Sequence, residues 1–178
     1  MKDFFADVAV LVEGEDDVAS ILACATVLGY DFSSMGISVI SCNGKSSIDR
    51  PALIFKSLGI PTYIVWDGDK GSTDAKSSEN HTMLRLVDES VEDFPQTQVK
   101  QNFACFEINL ETTIKNEIGS SEFDNLLELS QSLFGFPRKN QALKNPFIIS
   151  DVLSKAKANG HISASLEEIV NQIVKLKK

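Results

Sequence analysis

The stretch VLVEGEDDV, residues 10–18, decides how this chain reads. With Val8 and Ala9 before them, Val10, Leu11 and Val12 form an unbroken run of β-formers, the pattern of a strand covered on both faces. The run stops at Glu13-Gly14, and Glu15, Asp16 and Asp17 follow at once. Negative charge where a buried strand ends needs a reason, because a buried charge without a partner is costly. Helical spacing begins directly afterwards: Val18, Ile21, Leu22, Ala25 and Leu28 recur over 17–28, and Gly29 suits the stop.

Outward from there, the alternation continues. Ile37-Ser38-Val39-Ile40 is a second strand. A second helix runs from Ile48 to Leu58, with Pro51 tolerable only in its first turn and Gly59 at its end. The third strand is IPTYIVW, Ile60 to Trp66, with Pro61 at its entry. The polar stretch GDKGSTDAKSSENHT is loop-like, and a helix over 79–92 follows. FACFEI, Phe103 to Ile108, reads as a fourth strand. Helical periods then cover 110–118, 121–133, 146–158 and 165–176. Pro146 suits a helix start and Asn159-Gly160 a stop. Ser165-Leu166-Glu167-Glu168 matches a capping box, and Lys175, Lys177 and Lys178 complement the negative end of the last helix. The pattern predicts an α/β fold, a mostly parallel sheet flanked by helices, over 1–109, with a helical C-terminal lobe over 110–178.

A second acidic spot, Asp67-Gly68-Asp69, lies directly after the third strand. In a doubly wound sheet whose order begins 2-1-3, the ends of the first and third strands are neighbours at the switch-point crevice. Glu13, Asp17, Asp67 and Asp69 then converge. Converging carboxylates raise one another's pKa unless a cation sits between them, and a hard divalent ion with oxygen ligands is the simplest remedy. Glu15 and Asp16 are adequately explained by the first turn of a helix facing solvent. Glu13, before a turn glycine, and the acid-x-acid pair after a buried strand are poorly explained by capping alone.

The chain has 178 residues, 43% hydrophobic and 24% charged, with a formal net charge of −8. That is ordinary globular composition, and the acidic balance argues against a stand-alone polyanion binder. Cys24, Cys42 and Cys105 are far apart in apolar stretches and read as reduced core thiols of a cytoplasmic protein. No apolar run approaches the ~18 residues of a membrane span, and MKDFFADVAV lacks the core of a signal peptide. NGKSS, residues 43–47, evokes a P-loop, but the first glycine of that motif falls on Val39. Its alternative reading is a β–α turn, with Lys45 reaching a phosphate as the weaker option. His81 and His161 are isolated from any zinc pattern, and no nucleophile elbow is present.

Three blocks now carry a resemblance: VLVEGEDDV, LGYDFSSMGISVISCNGKSSIDR and LGIPTYIVWDGDKG. Together they resemble the TOPRIM domain of OLD (overcoming lysogenization defect) family ATP-dependent endonucleases. The signature Glu-Gly is Glu13-Gly14, the Asp-x-Asp is Asp67-Gly68-Asp69, and the additional acid of the OLD-like version is Asp17. SENHTML around Asn80, FEINLE ending at Glu111 and ALKNP containing Lys144 look like its later blocks. The resemblance implies a Rossmann-like TOPRIM fold and metal-dependent cleavage of DNA with two divalent ions, Mg²⁺ or Mn²⁺. It assigns Glu13 and Asp17 to one ion, Asp67 and Asp69 to the other or both, and Glu111 as a further acid. It gives Lys144 the developing negative charge on the phosphate, with Lys139 as its rival. It also implies an ABC-type ATPase as a domain or partner that this chain lacks, a role in phage defence, and a basic DNA surface completed by other domains or a homodimer partner. FPRKNQALK, with Arg138, Lys139 and Lys144, could add some affinity for DNA.

Two readings compete. Receiver-type signalling domains also place acids after the first and third strands, but use one phospho-accepting Asp and a Lys after a fifth strand. A catalytically inert TOPRIM fold could serve as an interaction module. Topoisomerase or primase chemistry needs a partner domain with a nucleophilic Tyr or priming site, and Tyr30 and Tyr63 do not suit the role.

Overall fold

The computed structural model describes residues 6–177, so Lys178 and the first five residues of the N-terminal stretch lie outside the described residues. A five-stranded sheet in the order β2-β1-β3-β5-β4 is flanked by eight helices. The strands are β1 (Val8–Val12), β2 (Ile37–Ser41), β3 (Thr62–Asp67), β4 (Gln98–Val99) and β5 (Phe103–Phe106). The first four in spatial order run parallel, and β4 closes the edge antiparallel to β5. The sheet thus opens in the expected 2-1-3 order. The edge strand β4 was not expected, because a two-residue strand carries no periodicity.

Alternation along the strands separates two apolar layers. Val8, Val10, Val12, Tyr63, Val65, Ala104 and Phe106 face one cluster. It includes residues of α1 (Glu15–Val27), α4 (Leu110–Ile118), α5 (Ser120–Phe134), α7 (Pro146–Ala158) and α8 (Ala164–Leu176). Leu11, Ile64, Trp66, Phe103 and Cys105 face the other, with Ala52 of α2 (Asp49–Ser57) and Met83 and Leu84 of α3 (Ser77–Leu86). This two-sided cover explains why β1 reads as a continuous apolar run. The cysteines are free, Cys24 and Cys105 buried and Cys42 half-buried. Among the described residues no helix is long and apolar enough to cross a membrane.

Three expectations are corrected. The helix placed at 79–92 spans Ser77–Leu86, because Asp88 adopts a positive φ of 61° and turns the chain. A short helix, α6 (Lys139–Leu143), lies where no element was expected. The capping box at Ser165 does not form. The cap of α8 is Ser163, and the end is closed from another helix by Glu117. That carboxylate accepts from Ser163 Oγ (2.5 Å), Ser165 Oγ (2.6 Å) and Ser165 N–H (3.2 Å).

Candidate functional site

The acid-bearing turns meet because β1 and β3 are hydrogen-bonded neighbours, with α1 and α2 on opposite faces of the sheet. That is the switch-point arrangement, open at the carboxyl ends of the strands. Glu13 follows β1, and its Oε1 accepts the backbone N–H of Asp67 at 2.7 Å. One side chain thus ties the two strand ends together. Asp67, the last residue of β3, accepts the N–H of Leu110 at 2.9 Å through Oδ1. Leu110 opens α4, so the donor is one of the unpaired N–H groups of a helix start. Asp17 lies in the first turn of α1 but points inward, only 8% exposed. Its Oδ2 accepts the N–H of Gly14 at 2.9 Å.

Asp69 is held differently. Its φ is +58°, and its N–H donates to Ile108 O at 3.0 Å. Gly68 before it donates to Phe106 O at 2.6 Å, and Lys70 after it to Glu107 O at 3.0 Å. The turn therefore extends the β3–β5 ladder with main-chain bonds. A Cβ on Gly68 would meet Phe106 O at 2.7 Å and Glu107 O at 2.8 Å, backbone atoms that cannot step aside. Asp69 Oδ2 lies 2.6 Å from the Lys45 ammonium. Lys45 also donates to Asn80 Oδ1 at 3.1 Å, and Asn80 Nδ2 donates to Gly68 O (2.9 Å) and Asp93 O (2.8 Å).

Burial and mutual repulsion dominate the electrostatics. Burial pushes the Asp67 carboxyl up to about 9, with the charges of Asp17, Glu13 and Asp69 adding to the rise and the Leu110 N–H opposing it. Glu13 is pushed up to about 7 by burial, against the pull of the Asp67 N–H and the Lys45 charge. Asp17 rises to about 6, again through burial first, with the Gly14 N–H pulling down. These are carboxylates whose ionised forms lack compensation.

The structure brings Glu13, Asp17 and Asp67 together and sets Asp69 beside them on Lys45. Glu111 is one residue past Leu110, and its Oε1 pairs with Lys115 at 2.6 Å. Lys139 sits 2.8 Å from Asp124, which is itself 3.7 Å from Lys115. Lys144 is exposed at the end of α6 and joins no ion pair among the described residues. Sequence reasoning named Lys45 and Asn80 singly but missed that they are buried together and hydrogen-bonded. The signal was the Gly-Lys after β2, but nothing in the sequence showed that the lysine turns inward.

Among the described residues no three Asp, Glu, His or Cys side chains are gathered into a ready-made ion cage. The chemistry of the donors nevertheless fits a hard divalent cation. They are oxygen donors, they are buried, and the charges that raise one another's pKa are those a cation would neutralise.

Residues 4–69 match the family described as overcoming lysogenization defect protein-like, TOPRIM domain. An OLD nuclease of Thermus scotoductus is 35% identical over 75 residues. That match spans 42% of this chain and only 14% of the Thermus protein. Among solved structures, the C-terminal region of the Burkholderia pseudomallei OLD protein superposes with a TM-score of 0.62 at 18% identity, covering 98% of this chain and all (100%) of that one. The C-terminal region of the Xanthomonas campestris pv. campestris OLD protein gives 0.59 at 17% identity, covering 98% and 97%. Residues 4–69 are thus similar to an OLD-like TOPRIM domain, and the chain shares the fold of OLD C-terminal regions.

Proposed function

We propose that this chain is the nuclease part of an OLD-type protein and cleaves phosphodiester bonds of DNA with two divalent ions, Mg²⁺ or Mn²⁺. The observation that carries the reading is the buried trio Glu13, Asp17 and Asp67 at adjoining strand ends, all raised by burial, with Glu13 and Asp67 raised further by neighbouring acids of the set. Glu13 and Asp17 would hold one ion, and Asp67 and Asp69 the other or both. When bound, such ions activate a water for attack and stabilise the leaving oxygen. The protein's part is positioning. The Asp67 N–H fixes the Glu13 carboxylate, the Leu110 N–H fixes Asp67, and Gly14 fixes Asp17. Glu111, at the start of α4 and paired with Lys115, would be the further acid. Lys144, free of ion pairs among the described residues, is a better candidate than the engaged Lys139 to meet charge developing on the phosphate. In this reading the helical part, 110–178, completes the nuclease region, and an ABC-type ATPase is supplied by the rest of a longer protein or by a partner.

The receiver reading is disfavoured at the fifth strand: β5 is followed by Glu107, not by a lysine, and that carboxylate pairs with Lys70.

The test is cleavage of supercoiled plasmid with Mg²⁺, Mn²⁺ or Ca²⁺, with and without EDTA, by the wild type, Glu13→Ala and Asp67→Ala. Metal-dependent nicked or linear product that disappears in both variants, with folding intact by circular dichroism, is expected. Wild-type rates from both variants would sink the assignment. No metal-dependent rise in melting temperature in the wild type would favour an inert interaction module.

A further inference from the structure

Lys45 is the one buried cation among the described residues, 3% exposed. Lysine is almost never buried without a partner. Its partners here lead back to the acid site: Asp69 Oδ2 at 2.6 Å and Asn80 Oδ1 at 3.1 Å. Asn80, 1% exposed, has no freedom to turn. Its amide nitrogen donates to Gly68 O and Asp93 O, so its oxygen must face the ammonium. The other end of the lysine is equally fixed. Gly44 before it, at φ +116°, donates its N–H to the carbonyl of Glu13 at 2.9 Å. The lysine is thus a rigid arm that starts beside the main chain of one proposed ligand and ends on the carboxylate of another.

We propose that Lys45, aimed by Asn80, is a positioning residue for the acid site: it holds Asp69 through one carboxylate oxygen and leaves the other for a divalent cation. The inference rests on the metal reading above and assigns a role to residues outside the acid set. Lys45 orients and does not compete. An incoming ion cannot displace the ammonium without leaving a buried charge away from its counter-charge. Groups that orient metal ligands from behind typically change metal affinity or activity 10–100-fold when removed.

The experiment compares wild type, Lys45→Met and Asn80→Ala in two titrations with Mg²⁺ and Mn²⁺. One follows melting temperature without DNA, the other plasmid cleavage. Lys45→Met is expected to raise the half-saturating metal concentration about 10–100-fold in both, while cleavage at saturating metal returns to within a few-fold of wild type. Asn80→Ala keeps the charge, loses its aim, and shifts both curves in the same direction. It also stands in should Lys45→Met not fold. Unchanged or tighter metal binding in Lys45→Met overturns the inference while leaving the metal site intact. Cleavage lost at every metal concentration with unaltered metal binding overturns it too, and moves Lys45 to the substrate. A wild type whose melting temperature ignores both metals overturns the metal reading, and this inference with it.

Discussion

At the residue scale, the buried acids set a pH dependence whose sign can be worked out. Glu13, Asp17 and Asp67 have folded-state pKa values of about 7, 6 and 9, raised from ordinary values of 4.5, 3.8 and 3.8. Between the unfolded and folded values the native state holds protons that the unfolded chain releases, so stability falls as pH rises. Asp124 and Asp151, shifted downward, stay ionised through this window and add no slope. The metal-free protein should therefore melt at progressively lower temperature from pH 5 to pH 9. Bound divalent metal displaces the same protons, so its stabilisation should be small at pH 5 and grow toward pH 9. Thermal denaturation with EDTA or Mg²⁺ across that range checks both statements. A metal-free melting temperature that climbs over the range would contradict a buried, uncompensated cluster. The acids themselves were legible in the sequence, because Glu-Gly and Asp-Gly-Asp each follow an apolar run. Lys45 was legible only as a lysine in a turn, since the direction of a long side chain is set by partners remote in sequence.

At the scale of elements, the strands and long helices could be read because burial imposes a period. β1, β3 and β5 are covered on two faces, β2 is a half-buried edge strand, and α1, α4, α5, α7 and α8 each turn an apolar stripe to one cluster. The misses share a cause: β4, α6, the end of α3 and the cap of α8 are decided by local turns or tertiary contacts. The α8 cap is the clearest. Ser165 and Glu168 offered a local box, but Glu117 of α4 reaches the helix start instead. Glu117→Ala should cost about 1–2 kcal/mol, the range of a lost cap, read as a lower urea midpoint. Cleavage at saturating metal should be unchanged, because the cap does not touch the acids. A loss of activity with no change in midpoint would place Glu117 in the site.

For the whole molecule, charge is the governing quantity. The net charge is −8, and the exposed basic groups of FPRKNQALK are Arg138, Lys139 and Lys144. With a salt slope of about −0.9 per phosphate neutralised, the chain alone should show a slope of about −3 at most for duplex DNA. Fluorescence anisotropy over a salt series measures it. A much steeper slope would demand a basic surface elsewhere on this chain, whereas a shallow one fits a cutter that another domain or subunit must bring to DNA. The helical part shares one apolar cluster with the sheet, and that part was readable as helices although its packing against α1 was not. Around the acids, the turn from Asp67 to Lys70 is fastened to the end of β5 by three main-chain bonds, from the N–H groups of Gly68, Asp69 and Lys70, beside the Lys70–Glu107 ion pair. Such bonds are indifferent to side-chain identity. Apart from Gly68, the residues that supply those main-chain bonds are free to drift over evolutionary time while the acids keep their stations. A fold anchored in this way loses its spelling sooner than its shape, which suits 18% identity at a TM-score of 0.62.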